Sequence, residues 1–313
     1  MSIVVRQGAA LVKRHGEDAS SQKHFVFDLD ETLGSFNELY EICKATSVAT
    51  NELRSVLYDL LKIFPEFMRS GIVTILKFLH GKKKSGEFGH LYLYTNNQCG
   101  REWTENLVHA IEDVANTANL FDHIICAFKV NNVVVETTRT THWKTWKDFI
   151  RCTLLPQTAH ICFIDDTYFP YMKRDRVFYL QPRPYHHRLS LSDIAERLKS
   201  VDFIRGNSSY QQSSKKRTTN DSSSLLSIWS SQPAGPEDEM HEKHEDEEEE
   251  VSQRLLYYLG EFFQMSLRRP STRKVRGRFW YHLSQKKRAS SSGLSRSKHN
   301  RILSQVSNPQ SAD

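Results

Sequence analysis

Residues 24–33 read HFVFDLDETL and have the character of a strand that ends in an acidic turn. The apolar residues follow one another instead of alternating with polar ones, which is typical of a strand covered on both faces of a parallel sheet. Asp28 and Asp30 come where the apolar run ends. The stretch therefore predicts a buried strand that delivers two carboxylates to one end of a sheet.

Similar runs recur downstream and alternate with helical patterns. The strand-like runs are HLYLYT at 90–95, HIICAF at 123–128, HICFID at 160–165 and RVFYL at 176–180. Apolar residues at spacings of three and four predict helices at about 53–64, 72–81, 103–114, 145–155 and 191–198. Gly81 is placed to end the second of these helices. The alternation predicts an α/β fold with a central parallel sheet, in which ligands bind outside the carboxyl ends of the strands.

Changes in composition divide the chain. We expect a flexible lead at residues 1–22 and a folded domain at 23–205, with a small helical insert at 37–64 after the first strand. Residues 206–250 are rich first in serine and then in acidic residues, which predicts a disordered linker. An amphipathic helix is predicted at 251–268.

The net charge of +6 conceals two opposed blocks. Residues 237–250 contain ten acids and one lysine, whereas residues 269–313 form a basic tail that we expect to be disordered. Basic residues interleaved with aromatic ones at 268–301 favour binding of nucleic acid or of an acidic partner. A nuclear-import patch, pairing with the acidic block and a merely solvated tail are the alternatives. The helix at 251–267 either docks on the domain, binds a partner or lies on an anionic membrane.

The composition excludes several classes of protein. Five cysteines, widely spaced and without a CxxC pair, indicate neither a disulfide framework nor a zinc site. No apolar run approaches the roughly 18 residues of a transmembrane segment. The first residues, MSIVVRQGAALVKRHGED, lack the long apolar core of a secretory signal. We therefore expect a soluble intracellular protein, nuclear or cytoplasmic, that is not secreted.

The acid pair suits phosphoryl transfer. Residues two apart in an extended chain point to the same side, so Asp28 and Asp30 can reach one ligand. One carboxylate can attack phosphorus, while the other donates a proton to the leaving oxygen and later takes one from water. Two anions repel a phosphate, so a divalent cation is needed to neutralise the site.

Polar residues end two further predicted strands. Asp165 and Asp166 end one of them, and the run Thr95, Asn96 and Asn97 ends another. Three strand tips that all carry groups fit for metal and phosphate favour a functional site over a chance cluster of turn residues.

Four segments resemble, in order, the four motifs of the haloacid dehalogenase (HAD) superfamily of phosphotransferases: FVFDLDETL, LYLYTNN, a lysine of HWKTWKD, and ICFIDD. The DLDETL form together with FIDD is more narrowly similar to the FCP/SCP group, also called NLI-interacting-factor-like phosphatases, which act on phosphoserine in proteins. The resemblance covers about residues 22 to 200. It implies a HAD-like Rossmannoid three-layer sandwich around a central parallel sheet, and a Mg²⁺-dependent phosphatase whose substrate is a phosphoserine or phosphothreonine of a protein.

The resemblance also assigns roles to the acids. It makes Asp28 the nucleophile, which forms an aspartyl-phosphate, and Asp30 the general acid and base. It places Mg²⁺ on Asp28, on the backbone carbonyl of Asp30, and on Asp165, with Asp166 supporting the ion.

The groups that bind the transferring phosphate are, by the same resemblance, Thr95, Asn96 and one lysine. Two lysines compete for this role. Lys144 directly precedes Thr145, a residue suited to capping the next helix, and this position favours it because a free helix N-terminus and a nearby cation both attract an anion. Lys147 lies in a Lys-Asp pair that resembles the Lys-Asp-Leu of some FCP/SCP members.

The chain departs from the FCP/SCP pattern at the helical insert and at Thr-Asn-Asn, where that group more often has Thr-Ala. Two other functions therefore stay open. One is a HAD phosphatase that acts on nucleic-acid ends or on a small metabolite. The other is a non-catalytic interaction protein that works through its basic tail.

Overall fold

The computed structural model describes residues 2–13, 22–46, 48–200, 227–230 and 238–267, without the side chains of residue 200 and of residues 238–246. The strands are β1 (Ile3–Gln7), β2 (Leu11–Lys13), β3 (Lys23–Phe27), β4 (Leu91–Tyr94), β5 (His123–Ile125), β6 (Lys129–Val130), β7 (Val133–Val134), β8 (His160–Ile164), β9 (Val177–Pro182) and β10 (Met265–Leu267). The helices are α1 (Asn37–Ala45), α2 (Leu53–Ile63), α3 (Ile72–Lys84), α4 (Arg101–Ala115), α5 (Trp146–Thr153), α6 (Leu191–Ser200) and α7 (Asp238–Phe263).

Six strands form the central sheet, in the order β1-β9-β8-β3-β4-β5. All neighbours in it are parallel except β1, which runs antiparallel to β9 at the edge. Strand β3 lies between β8 and β4, with Phe27 opposite Ile164 on one side and Leu93 on the other. The predicted α/β fold with a mostly parallel sheet is thus confirmed, and it is compatible with a Rossmann-like arrangement.

Both faces of the sheet are covered, which explains the continuous apolar runs. On β3, Phe25 and Phe27 point into a cluster that includes residues of α1–α4, α6 and α7, whereas Val26 points into a second cluster with Trp146 and Phe149 of α5. Because successive side chains of a strand point to opposite faces, a strand with helices on both sides has no solvent-facing position to fill with a polar residue.

The strands and helices predicted between residues 24 and 200 lie within a few residues of their observed positions, and α3 shows a clear difference at its end. This helix continues through Gly81 to Lys84 instead of ending at the glycine. A glycine inside a helix costs only about 1 kcal/mol relative to alanine. The three lysines of the last turn, Lys82–Lys84, interact favourably with the negative end of the helix dipole.

The flexible lead predicted at residues 1–22 is wrong for the residues that the structure describes there. Strand β1 pairs with β9 from Ile3 opposite Pro182 onwards, and β2 pairs with β10. Ile3 and Leu11 are buried. The two strands are too short and too isolated in the sequence to stand out as a pattern, and their partners come from the far end of the domain.

The linker predicted at residues 206–250 is also wrong where the structure describes it. Residues 227–230 form a helical turn with a buried Trp229, and α7 begins at Asp238 instead of at residue 251. Two acids at the end of the predicted linker have cationic partners far away in the sequence, since Glu248 pairs with Arg69 and Arg183, and Glu247 pairs with Arg183. Residues 206–226 and the predicted basic tail at 269–313 lie outside the described residues.

Helix α7 docks on the domain, which was one of the alternatives for this segment. It ends at Phe263 and not at residue 268 as predicted, because Met265–Leu267 form β10, which pairs with β2. Its apolar face is buried against the sheet, and the ring of Phe262 stacks on that of Phe178 with centroids 5.9 Å apart. The buried residues of this face are Val251, Leu255, Leu259 and Phe262. None of the described helices combines the length and the apolar character that a membrane span requires.

A pair of stacked histidines lies at the amino end of the sheet. The rings of His24 and His90 are 5.5 Å apart, and Nδ1 of His24 accepts a hydrogen bond from the backbone N–H of His90. Burial, together with the electrostatic influence of the nearby His90 and His160, lowers the pKa of His24 to about 4, although the carboxylate of Asp122 opposes the shift.

We therefore expect the free energy of unfolding to fall between pH 7 and pH 5. The unfolded chain takes up a proton at the ordinary histidine pKa of about 6.5, whereas folded His24 does not, which lowers stability by about 2 kcal/mol at pH 5. His24→Asn keeps an acceptor for the backbone N–H of His90 and removes the titrating imidazole. Urea unfolding of this variant should therefore show a smaller loss of stability between pH 7 and pH 5. His123→Asn, at an exposed position, is the control and should lose as much as the parent. If His24→Asn lost as much stability between pH 7 and pH 5 as the parent, His24 would not be the cause of the pH dependence.

Candidate active site

The predicted site residues lie together at the carboxyl ends of three neighbouring parallel strands. Asp28 directly follows β3, Thr95 follows β4, and Asp165 and Asp166 follow β8. The sheet order places β3 between the other two. This is the edge at which ligands bind in open α/β sheets, since side chains from several loops converge there.

Three carboxylates form the centre of the site. One oxygen each of Asp28, Asp165 and Asp166 lies within 4.8 Å of the others, and all three residues are buried. Nζ of Lys144 lies 2.6 Å from Oδ1 of Asp28, as an ion pair, and donates a hydrogen bond to Oδ2 of Asp165 at 2.7 Å. The acids of two predicted motifs and the lysine of a third are thus in direct contact.

Lys144 is fully buried, and its charge is maintained by these neighbours. Burial by itself lowers the pKa of the ammonium group, but the carboxylates of Asp165 and Asp28 outweigh burial and raise it. The side chain therefore carries a positive charge into the acidic centre.

Helix α5 positions this lysine. Oγ1 of Thr145 accepts a hydrogen bond from the backbone N–H of Asp148 at 3.1 Å, so Thr145 is the N-cap, as expected from its residue type. The backbone N–H of Thr145 donates to the hydroxyl of Tyr94. Lys144 thus lies just before the helix and points inward, whereas Lys147 is exposed on the first turn. Of the two competing lysines, the structure brings Lys144 to the acids.

Asp30 lies beside the three-acid cluster and has a different environment. Its carboxylate accepts hydrogen bonds from Nδ2 of Asn97, at 2.9 Å to Oδ2 and 3.2 Å to Oδ1. Burial and the charge of Asp28 raise the pKa of Asp30 to about 6, although Asn97 and Lys144 oppose the shift. A carboxyl group with such a pKa can both hold and release a proton near neutral pH.

Thr32 connects the first acid pair to the second. Its hydroxyl donates to Oδ1 of Asp166 at 3.1 Å and accepts from the backbone N–H of Asp166 at 3.0 Å. The side-chain amide of Gln181 donates to the carbonyl of Asp166. The sequence patterns did not single out Thr32, although its place in the DLDET run was a signal.

The three polar residues that follow β4 have different partners. Thr95 is buried, and its Oγ1 accepts the backbone N–H of Asn97 at 3.0 Å. Oδ1 of Asn96 accepts from Nη2 of Arg139 at 2.7 Å, so it is Asn97, and not Asn96, whose side chain reaches the acids. Arg139 is buried and also donates to the carbonyl of Thr95 at 2.9 Å and to that of Cys126 at 2.8 Å. No pattern around Arg139 marked it in advance.

The centre suits a hard divalent cation. Burial and the charge of Asp28 raise the pKa of Asp165 and of Asp166, and the ammonium of Lys144 opposes the shift. An all-oxygen set of converging carboxylates is the donor type that Mg²⁺ prefers. The residues present therefore fit a magnesium ion.

Comparison with known proteins finds no matching family model, no matching curated protein and no matching solved structure. The function is therefore inferred from the residues of this site and their contacts.

Proposed function

We propose that the protein is a Mg²⁺-dependent phosphatase of the HAD type, which hydrolyses phosphoserine or phosphothreonine in a protein through an aspartyl-phosphate on Asp28. The single observation that carries the proposal is the contact of Lys144 with both Asp28 and Asp165 at the carboxyl ends of adjacent parallel strands. An ammonium held between two buried carboxylates is a site in which an anion can be received beside a nucleophile.

In the first step, a carboxylate oxygen of Asp28 attacks phosphorus and the bond from phosphorus to the ester oxygen breaks. Asp30 gives its proton to the leaving oxygen. Lys144 and the hydroxyl of Thr95 would bind the oxygens of the transferring phosphate, with the ammonium compensating their charge.

In the second step, water attacks the phosphorus of the acyl phosphate while Asp30 takes the proton of that water. The bond between phosphorus and Asp28 breaks, which frees inorganic phosphate and restores both carboxyl groups. The pKa of Asp30, about 6, supports this double role because the same group must be protonated in one step and ionised in the next.

Asp28, Asp165, Asp166 and the carbonyl of Asp30 would hold Mg²⁺. When bound, the ion offsets the negative charge of the phosphate and so favours its approach to a carboxylate nucleophile.

The helical insert supports a macromolecular substrate. Helices α1 and α2 bury their apolar residues in the same core cluster as β3 and α4, through side chains such as Leu39, Ile42 and Leu57. The insert is therefore part of the domain body and does not make a separate lid domain over the strand tips. A site that this insert does not cover with a lid domain can admit a phosphorylated side chain of a folded or extended protein.

Phosphate release from p-nitrophenyl phosphate tests the proposal. We expect activity with Mg²⁺ and its loss with a chelator. A phosphoserine peptide should then be a better substrate than a 5′-phosphorylated oligonucleotide or a sugar phosphate at equal concentration. Inactivity toward all four compounds with Mg²⁺ and with Mn²⁺ would refute the proposed activity, and a preference for the oligonucleotide or the sugar phosphate would refute the proposed substrate class.

The two lysines provide a matched pair of variants. Lys144→Ala should lower kcat/KM for p-nitrophenyl phosphate by about 100- to 1000-fold, the range for loss of one group that stabilises transition-state charge. Lys147→Ala, at an exposed position on the same helix, should change it by less than about two-fold. Circular dichroism shows whether each variant is folded in the assay. A larger loss in Lys147→Ala would contradict the placement of Lys144.

A further inference from the structure

We propose that Arg69 and Glu248 are positioning residues for this site, a buried ion pair through which helix α7 holds the loop that follows the nucleophile. The loop, residues 29–34, is called the acid loop below. The inference rests on the proposed function only for its activity readout.

Arg69 binds the acid loop directly. Its side chain is fully buried, and its Nε donates to the carbonyl of Thr32 at 2.9 Å. Nη2 donates to the carbonyl of Glu31 at 2.7 Å and to that of Arg183 at 2.8 Å. The guanidinium is a rigid, planar fork of donors, so two consecutive carbonyls of the loop are fixed relative to each other.

The acid loop needs such support because its backbone is strained. Glu31 has a φ of 58°, in the left-handed region that non-glycine residues rarely adopt. Its carbonyl accepts a second hydrogen bond, from the backbone N–H of Tyr185 at 2.9 Å. Glu31 lies between Asp30 and Thr32, so a shift of this peptide moves the proton donor on one side and the anchor of Asp166 on the other.

Glu248 makes the burial of Arg69 possible. Its side chain is 2% exposed, and Oε2 accepts from Nη1 of Arg69 at 2.7 Å. Oε1 accepts from Nε of Arg183 at 2.8 Å. A buried guanidinium without a counter-charge is strongly destabilised, so Arg69 can keep its place under the acid loop only with an anion beside it. The neighbouring Glu249 and Glu250 are exposed.

The next turn of α7 contacts the same segment. The hydroxyl of Ser252 donates to the carbonyl of Ser70, and a Cβ added at Gly71 would come within 2.7 Å of the Cβ of Ser252. Gly71 also has a φ of 76°. Helix α7 therefore abuts the turn that carries Arg69, and the position of Arg69 depends on the helix as well as on the charge.

The acidic block thus has a specific task in the domain. Glu248 of this block is connected through Arg69 to the carbonyls of Glu31, which follows Asp30, and of Thr32, whose hydroxyl binds Asp166. Helix α7 lies beyond the segments that carry the predicted motifs, yet the proposed chemistry depends on it.

Two substitutions test the pair in the full-length protein. Glu248→Gln removes the counter-charge but keeps the shape, and Arg69→Lys keeps the charge but removes the fork of donors. Each should lower kcat for p-nitrophenyl phosphate by about 10- to 100-fold with KM changed by less than about three-fold, as for residues that orient a site from behind. Glu249→Gln, one residue further along α7, is the matched control and should keep the parent kcat.

Amide hydrogen exchange provides a readout that does not depend on activity. At a temperature at which every variant is folded, exchange of residues 29–34 should be at least about ten-fold faster in Glu248→Gln and Arg69→Lys, while that of β4 is unchanged. Unchanged kcat or unchanged exchange in both variants overturns the proposal, as does failure of both to fold, which would make the pair a requirement for folding alone. If the parent protein hydrolyses no phosphate ester, the proposed function fails, and the exchange rates alone decide the positioning role.

Discussion

We expect Asp28→Asn to lower the rate of phosphate release from p-nitrophenyl phosphate by about 10⁴-fold or more. An amide is a poor nucleophile toward phosphorus, and loss of a covalent nucleophile removes most of the rate enhancement of an enzyme. Lys144 keeps its hydrogen bond to Asp165 in this variant, so the domain should stay folded. Steady-state kinetics measures the loss of activity, and thermal unfolding shows whether the variant is still folded.

Substitutions at two further aspartates provide comparisons. Asp30→Asn should lower the rate of phosphate release by about 10²- to 10⁴-fold, the usual contribution of a general acid and base. Asp175→Asn, an exposed residue that precedes β9 at the opposite edge of the sheet, should keep full activity. Retention of more than a tenth of the activity by Asp28→Asn would show that another group attacks phosphorus.

Truncation at the boundary predicted from the sequence should destroy the fold. A chain that ends after residue 205 lacks α7, whose four buried apolar side chains are each worth about 1.5–3 kcal/mol on burial. It also leaves Arg69 buried without Glu248. The combined loss is comparable with the whole stability of a typical domain, about 5–15 kcal/mol. We expect no cooperative thermal transition in circular dichroism.

The matched control for this experiment is a longer chain that ends after Arg268, where the compact unit that contains the site ends. It should unfold cooperatively and hydrolyse p-nitrophenyl phosphate. A cooperative transition and activity in the 1–205 chain would show that α7 is dispensable, and would also contradict the role given to Glu248.

The sheet and the acids of the site could be predicted because each depends on neighbours in the sequence. A strand covered on both faces has an unbroken apolar run, as in residues 25–27, and the polar residues that follow such a run lie at its carboxyl end. The capping of α5 by Thr145 is likewise a local effect, and it made Lys144 the better candidate.

The supporting contacts could not be predicted because they join residues far apart in the chain. Arg69 and Glu248 are 179 positions apart, and nothing near either one indicates that it is buried. A block of acids has the composition of a solvated segment as long as its cationic partners are unknown. Arg139 was missed for the same reason, since its partners are the side chain of Asn96, 43 positions away, and backbone carbonyls, which the residue types do not reveal.

The most direct test of the proposed chemistry is to trap the covalent intermediate. The protein is mixed with p-nitrophenyl phosphate and Mg²⁺ and quenched with borohydride, which reduces an aspartyl-phosphate to homoserine, and its peptides are analysed by mass spectrometry. We predict homoserine at position 28, with Asp30, Asp165 and Asp166 unmodified. Phosphate release without modification of Asp28, or with modification of another aspartate, would contradict the mechanism.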